Sequence, residues 1–259
     1  MFLRKIHTAL KPWYIILLLL GLWTVVSLLG VWNTYLLPTP WKVGRTFIQM
    51  LQKGEIAEAI FVSFRRVLLG FAVSFLLAFG AGICSAYLPG QAAYLRHISN
   101  FFRNVPPIAL ISLLILWFGL GELPKLIIIV LASFFPMTMN ISKGFAECDK
   151  RLLEVGHSLG FSKGKQFIRI SLPYAREDIL VGMRIGLGYS WRALIGAEMF
   201  AAAAGLGHMI VFAQQMSRSD KVFIGIFMIG IIGCICDKLF SVFIRKVCAG
   251  GVKTKGSTQ

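Results

Sequence analysis

Acidic residues are scarce in this chain of 259. Eleven Asp and Glu stand against 27 Lys and Arg, a formal charge of +16. On a soluble protein such an excess would point to nucleic acid. Here the bases cluster in loops between apolar runs, which suits anchoring on anionic headgroups and orienting membrane spans, so nucleic acid is not an expected partner. Cysteine is sparse as well. Cys84, Cys148, Cys234, Cys236 and Cys248 are odd in number and contain no CxxC pair, which excludes a disulfide framework. The four histidines are scattered, so no metal site is expected. No His, Asp and Ser gather at one depth as a membrane-embedded enzyme requires, and no inverted repeat suggests a secondary transporter. A P-loop is missing too. Its nearest approach, Gly160 to Gln166, is one residue short and offers Gln where a magnesium-binding hydroxyl is needed. If this chain serves ATP-driven transport, ATP and magnesium must sit on another subunit, and the chain carries no cofactor of its own.

Long apolar runs are what the chain has instead. Hydrophobic residues make up 57% of it, with a mean hydropathy of +0.75. Runs approaching membrane length, without the alternation of barrel strands, predict an all-α polytopic membrane protein, because lipid offers backbone groups no other partners. Six spans are expected near 13–32, 64–87, 105–121, 123–142, 179–200 and 222–244. The third and fourth, parted by Gly119, Gly121, Glu122 and Pro124, read as a tight helical hairpin. The first run lacks a cleavage signal and reads as a retained span rather than a signal peptide.

The segment from Thr39 to Arg66 is too polar to span. Thr39 can cap a helix that opens on Pro40, and Val43, Phe47, Met50 and Leu51 follow at helical spacing, with Gly54 closing it. This predicts a short amphipathic helix on the outer surface, bracing the first two spans. The tail 250–259 has little apolar content and reads as disordered, so residues 1–249 form one membrane domain. With both termini inside, 17 of the 27 bases fall in inner segments, 8 in outer ones and 2 (Arg192, Lys238) within spans. That bias predicts cytoplasmic termini. Arg65 and Arg66 run against it.

The charged loop 145–176 has an internal order. An amphipathic run carries Glu154 and Gly156 and ends at Gly160. Phe161 follows at the water-facing tip, and a second run through Ile170 and Leu172 meets Pro173, which is expected to stop it. This layout resembles the "EAA" loop of importer-type ABC permeases: Glu, two small residues, a later Gly, then I-x-L-P. Val155 and Gly156 stand where that family has two alanines. Ser63, Arg66, Val67 and Gly70 are similar to the aliphatic-sulfonate, taurine and nitrate permease group, as are Pro106-Pro107, Leu113 to Gly121, Trp191, Glu198 and Gly205-Leu206-Gly207. The resemblance implies a bacterial inner-membrane import permease of type I architecture. It further implies a second copy of the chain, two cytoplasmic ABC ATPase subunits and an extracytoplasmic substrate-binding protein as partners, besides membrane lipid. It makes Glu154, Gly156, Gly160, Phe161, Ile170, Leu172 and Pro173 the ATPase-coupling residues. The implied solute is a sulfonate, taurine, nitrate or similar anion, although relatives also carry neutral or cationic vitamin precursors.

Within the spans, an ionisable side chain costs roughly 2.5–3.5 kcal/mol on insertion scales and faces a cavity or a partner. Ser190, Trp191, Arg192 and Glu198 are the candidate solute-pathway residues. For Arg192 two readings stand: a cation lining the path of an anion, or a structural partner of Glu198 or Asp237. Gly182 and Gly186 form a G-x-x-x-G step suited to close helix packing.

Overall fold

The computed structural model describes residues 2–30, 32–88 and 91–249, and every regular element among them is helical. The tail 250–259 lies outside the described residues. Helix α1 runs Phe2–Leu28 and stops short of the expected end at 32, with Gly30 in the left-handed region at φ +67°. Its Trp23 stacks on Phe223 with centroids 5.2 Å apart and donates its indole N–H to the Pro38 carbonyl at 3.1 Å. Helix α2 (Pro40–Gln52) is capped by Thr39, whose hydroxyl accepts the Lys42 N–H. It buries Val43, Thr46 and Met50, while Leu51 faces outward.

Gly54, at φ +75°, turns the chain directly into α3 (Glu55–Tyr87). Residues 55–66 are therefore the opening turns of a long helix and not part of the surface segment. Two of their charges are paired, Lys221 meeting Glu55 at 2.7 Å and Arg66 lying buried between two carboxylates, while Glu58 and Arg65 are exposed. At 33 residues α3 is about 50 Å long, well beyond a ~30 Å hydrocarbon layer.

Helix α4 (Gln91–Asn104) follows. The expected third span, 105–121, is a shorter apolar helix, Pro107–Phe118, made of a 3₁₀ turn (Pro107–Leu110) followed by α5 (Ile111–Phe118). All pack along the next long helix. Pro106-Pro107 parts the apolar helix from α4. Each proline disfavours helical backbone in the residue before it, and Pro106 itself is extended at ψ 124°. Gly119, at φ +75°, then reverses the chain into α6 (Glu122–Ala146), giving the tight hairpin.

Helices α7 (Lys150–Ser158) and α8 (Lys163–Gln166) form the charged loop. A single π turn (Phe167–Ser171) joins α8 to α9 (Leu172–Ala201), and α10 (Leu206–Gln215) and α11 (Ser219–Ala249) complete the chain. Pro173 does not stop the second run, because residues 163–201 continue as one helix. Proline lacks the N–H for an i→i−4 bond and crowds that carbonyl. The wider π turn immediately before it takes up the misfit.

Helices α3, α6 and α11 are each long and apolar enough to cross a membrane, and 163–201 with α10 adds a crossing bent by 41°. α6 and α9 form the central pair. Gly182 and Gly186 face Met137 and Asn140 across it, and a Cβ added to Gly182 would stand 3.0 Å from that of Asn140. The G-x-x-x-G step thus serves packing within the chain. One apolar core gathers Val67, Ile129, Trp191, Leu194 and Leu206, and a second gathers Ala78, Met137, Ile141, Phe145 and Ala175.

Candidate functional site

The loop end and the opposite end of the bundle hold different chemistry. At the loop end, Asp149 caps α7 by accepting the Arg151 N–H, and Gly160, at φ +72°, closes it in the left-handed conformation. Gly156 is buried, and a Cβ there would lie 2.6 Å from Ile170 Cδ1. The small residue lets α7 lie against the π turn. Phe161 is half-buried and not a protruding tip. Its N–H donates to the Gly156 carbonyl at 2.9 Å, and Lys165 and Arg169 sit 4.4 and 5.9 Å from its ring centroid. It staples the hairpin shut because a free ring in water gains less than one sandwiched by two cations and a backbone. What α7 exposes instead is Leu152, Val155 and Leu159, an apolar row at helical spacing. Glu154 lies on the exposed surface beside them and makes no ion pair among the described residues.

The base of this hairpin is welded to the bundle. Phe167 stacks on Phe145 of α6 at 5.6 Å and meets Tyr87 of α3 edge-on at 6.1 Å. The Tyr87 hydroxyl donates to Ser171 Oγ at 2.9 Å. Cys148 is buried at the same junction, and burial pushes its thiol above the usual range, which suits an inert packing role. Ile170 and Leu172 are half-buried beside it and Pro173 is exposed. The seven loop residues named from the sequence therefore belong to one compact unit on α3, α6 and α9.

The candidate pathway residues do not come together. Glu198 is buried with its side chain fully enclosed. It accepts from Ser63 Oγ at 2.8 Å, Arg66 Nη1 at 2.7 Å and the Gly207 N–H at 3.0 Å. Ser190 is also buried, and its hydroxyl has no hydrogen-bond partner among the described residues. Trp191 packs into the first core and donates its indole N–H to the Ile229 carbonyl at 3.2 Å. Arg192 alone is exposed, its guanidinium 4.9 Å from the Tyr189 centroid and its Nε–H on the Gly188 carbonyl at 3.0 Å. Neither anticipated carboxylate reaches it. Glu198 is held by Arg66, and Asp237 takes a two-pronged bond from Arg184, 2.7 Å on each oxygen. A cavity of about 370 Å³ between α3, α9 and α11 is lined by Trp191, Arg192, Arg184 and Asp237.

The feature sequence reasoning missed is the clasp around Glu198. Arg66 forks onto Glu122 through Nε and Nη2, both at 2.7 Å, and sends Nη1 to Glu198 and to the Ala204 carbonyl at 2.6 Å. Lys125 adds a third cation–carboxylate contact to Glu122 at 2.7 Å. Ser63 completes it by accepting the Leu206 N–H at 2.9 Å. Two cations and two carboxylates balance, which is what burial in a membrane bundle demands. The clasp ties the break between α9 and α10 to α3 and α6. The one signal for it was the i, i+3 spacing of Glu122 and Lys125 beside the Ser63–Arg66 motif. Among the described residues, no three His, Cys, Asp or Glu side chains are grouped to hold a metal ion.

Comparison with known proteins agrees with this architecture. The family described as "Binding-protein-dependent transport system inner membrane component" matches residues 78–247. A putative aliphatic sulfonates transport permease of Bacillus subtilis (strain 168) is 33% identical over 94% of this chain and 88% of its own length. The taurine transport system permease of Escherichia coli (strain K12) is 32% identical, covering 85% of this chain and 82% of its own. A nitrate import permease of Synechocystis is 28% identical over 73% of this chain and 68% of its own. Among solved structures, the inward-facing MetNI methionine ABC transporter gives a TM-score of 0.60 at 16% identity, covering 73% of this chain and 96% of that one. An amino acid ABC transporter gives 0.63 at 15% identity, covering 77% and 98%.

Proposed function

Since the chain belongs to the family of binding-protein-dependent transport system inner membrane components, we propose that it passes a small anion between two copies of itself. The anion is a sulfonate, taurine, nitrate or a close analogue, delivered by an extracytoplasmic binding protein. Two ATPase subunits on the cytoplasmic side hold the ATP and magnesium, and both termini lie on that side. The relatives named as sulfonate, taurine and nitrate permeases support the solute class. Arg192 is the chain's contribution to it, a permanent cation within α9 that no carboxylate neutralises among the described residues.

The observation that carries the coupling role is the apolar row Leu152, Val155 and Leu159. It stands exposed on a helix that rests against the π-turn hairpin, and that hairpin is joined to α3 and α6 through Phe167. Exposed apolar residues beside Glu154, which no cation pairs among the described residues, suit a groove on a soluble partner. No bond is made or broken by this chain. Closure of the ATPases pushes on α7, and the push reaches the spans through the aromatic junction. In the reconstituted importer, Glu154→Arg and Leu159→Glu should each cut uptake at least tenfold while ATP hydrolysis continues. Normal uptake by both variants would remove α7 from the coupling role.

A further inference from the structure

Acid is missing altogether from residues 1–54, the first carboxylate being Glu55. Lys42, Arg45 and Lys53, on α2 and its C-terminal cap, make no ion pair among the described residues. The side of α2 turned away from the core is apolar as well. Val43, Thr46 and Met50 are buried, while Trp41, Ile48 and Leu51 stand exposed at helical spacing on another face. Trp32, Tyr35 and Leu36, just before the helix, are exposed too. Arg45 lies 5.9 Å from the Trp41 ring centroid, and Lys42 5.7 Å from that of Tyr35. Exposed Trp and Tyr beside cations are the side chains that settle at a membrane–water boundary. Next to Trp41 an open crevice of about 630 Å³ separates α2 from the end of α1, walled by Thr24, Leu28, Thr39, Pro40 and Trp41. No wall is charged, and the Thr24 hydroxyl is spent on the Leu20 carbonyl at 2.7 Å.

From these features we infer that the corner between α1 and α2 holds one anionic phospholipid. Its phosphate lies on Lys42 and Arg45, and an acyl chain enters the crevice past Trp41. A soluble acidic protein would meet the two cations but leave the crevice, along the apolar end of α1, unfilled. A zwitterionic lipid fills the crevice but brings a third cation to the two already there. Only an anionic headgroup on an acyl chain satisfies both parts. Each cation near an anionic lipid is worth about fivefold in binding, so the pair gives about twenty-five-fold. The lipid straps α1 to α2 beside the bonds from Trp23 to the Pro38 carbonyl and from Ser27 to the Leu37 carbonyl. This site is separate from the solute path and stands whichever solute the chain passes.

The test is photo-cross-linking of the full permease in phosphatidylcholine nanodiscs. The probes are phosphatidylglycerol and phosphatidylcholine carrying the same diazirine acyl chain, and adducts are mapped by peptide mass spectrometry. Adducts at Leu28 and Trp41 are expected about twenty-five-fold more often from phosphatidylglycerol, with the excess shrinking as salt rises. Lys42→Gln with Arg45→Gln should bring the two probes to parity there and leave adducts on α11 unchanged. Lys53→Gln, eight residues beyond Arg45, should alter the Leu28 yield less than twofold. If the double variant melts early, Lys42→Gln and Arg45→Gln singly are each expected to cost about fivefold. A loss with Lys53→Gln as large as with the pair overturns the inference, since the charge then acts diffusely. Parity of the two probes on the parent protein overturns it as well. So does the absence of adducts at Leu28 and Trp41, which means that protein covers the corner. Displacement by glycerol phosphate or by polyglutamate also overturns it, because the ligand is then a free phosphate or an acidic polypeptide.

Discussion

Arg66 commits four of its five N–H donors to Glu122, Glu198 and the Ala204 carbonyl, so its worth depends on every partner staying charged. Glu198→Gln removes one carboxylate from a balanced set of four charges and leaves a buried cation short. Breaking such a pair costs about 3–5 kcal/mol. A thermal melt in detergent should show the midpoint falling by about 10 °C. Arg66→Met with Glu198→Gln removes one charge of each sign and leaves Glu122 with Lys125, so the double variant should lose less than the two singles combined. Additive losses would mean the charges act independently. Gly205 belongs to the same set: at φ +117° a side chain is strained, and its Cβ would fall on the Glu198 carboxylate. Ser63, Arg66, Glu198 and Gly205-Leu206-Gly207 were all legible in the sequence, but only as separate fragments of a family likeness. Their meeting was not, because Ser63 and Glu198 are 135 residues apart and nothing in local periodicity reports a contact at that range. The six-residue offset, which sets Arg192 and Glu198 about 120° apart on an ideal helix, weighed against a close pair without removing Glu198 as a reading. That Arg184 would claim Asp237 first had no sequence signal.

The hairpin of α7, α8 and the π turn is held to the bundle by rings rather than charges. Phe167 touches Phe145 and Tyr87, each such aromatic contact being worth about 0.5–1.5 kcal/mol beyond its burial. Phe167→Ala should therefore loosen the junction without dissolving the hairpin, since Gly156, Phe161 and Ile170 still close it. Uptake by the reconstituted importer is expected to fall several-fold per ATP hydrolysed, with ATPase co-purification retained. Loss of co-purification would instead make Phe167 part of the docking face. The elements themselves were unevenly legible. Helical periodicity and Thr39 gave α2 nearly to the residue, and Gly119 gave the turn into α6. Proline was the misleading letter. Pro173 reads as a stop yet sits inside a continuous helix because a π turn precedes it, whereas Pro106-Pro107 opens an apolar helix and parts it from α4. Proline's effect depends on whether the neighbouring backbone can widen to receive it, and hydropathy carries no record of that.

For the molecule as a whole, the pairings sharpen the charge asymmetry on which orientation rests. Of the eight bases assigned to the outer side, Arg66, Lys125, Arg218 and Lys221 are held by Glu122 and Glu198, Glu122, Asp220 and Glu55 respectively. That leaves four outer bases without an ion pair among the described residues. An impermeant thiol reagent should label a cysteine placed at Lys53 in intact cells and one at Lys163 only after the inner face is opened. The reverse pattern would invert the topology. The unbroken helix from 163 to 201 has a mechanical meaning once that orientation is granted. At 1.5 Å per residue it reaches about 32 Å on one side of residue 184 and about 26 Å on the other. Near residue 184, Gly182 and Gly186 let it pack directly on Asn140 and Met137 of α6. That is a seesaw on a glycine fulcrum: a tilt of about 10° moves the Lys163 end by about 5 Å and the Ala201 end by about 4 Å the opposite way. Drawing the loop ends of two copies together would, by the same rotation, spread their far ends apart.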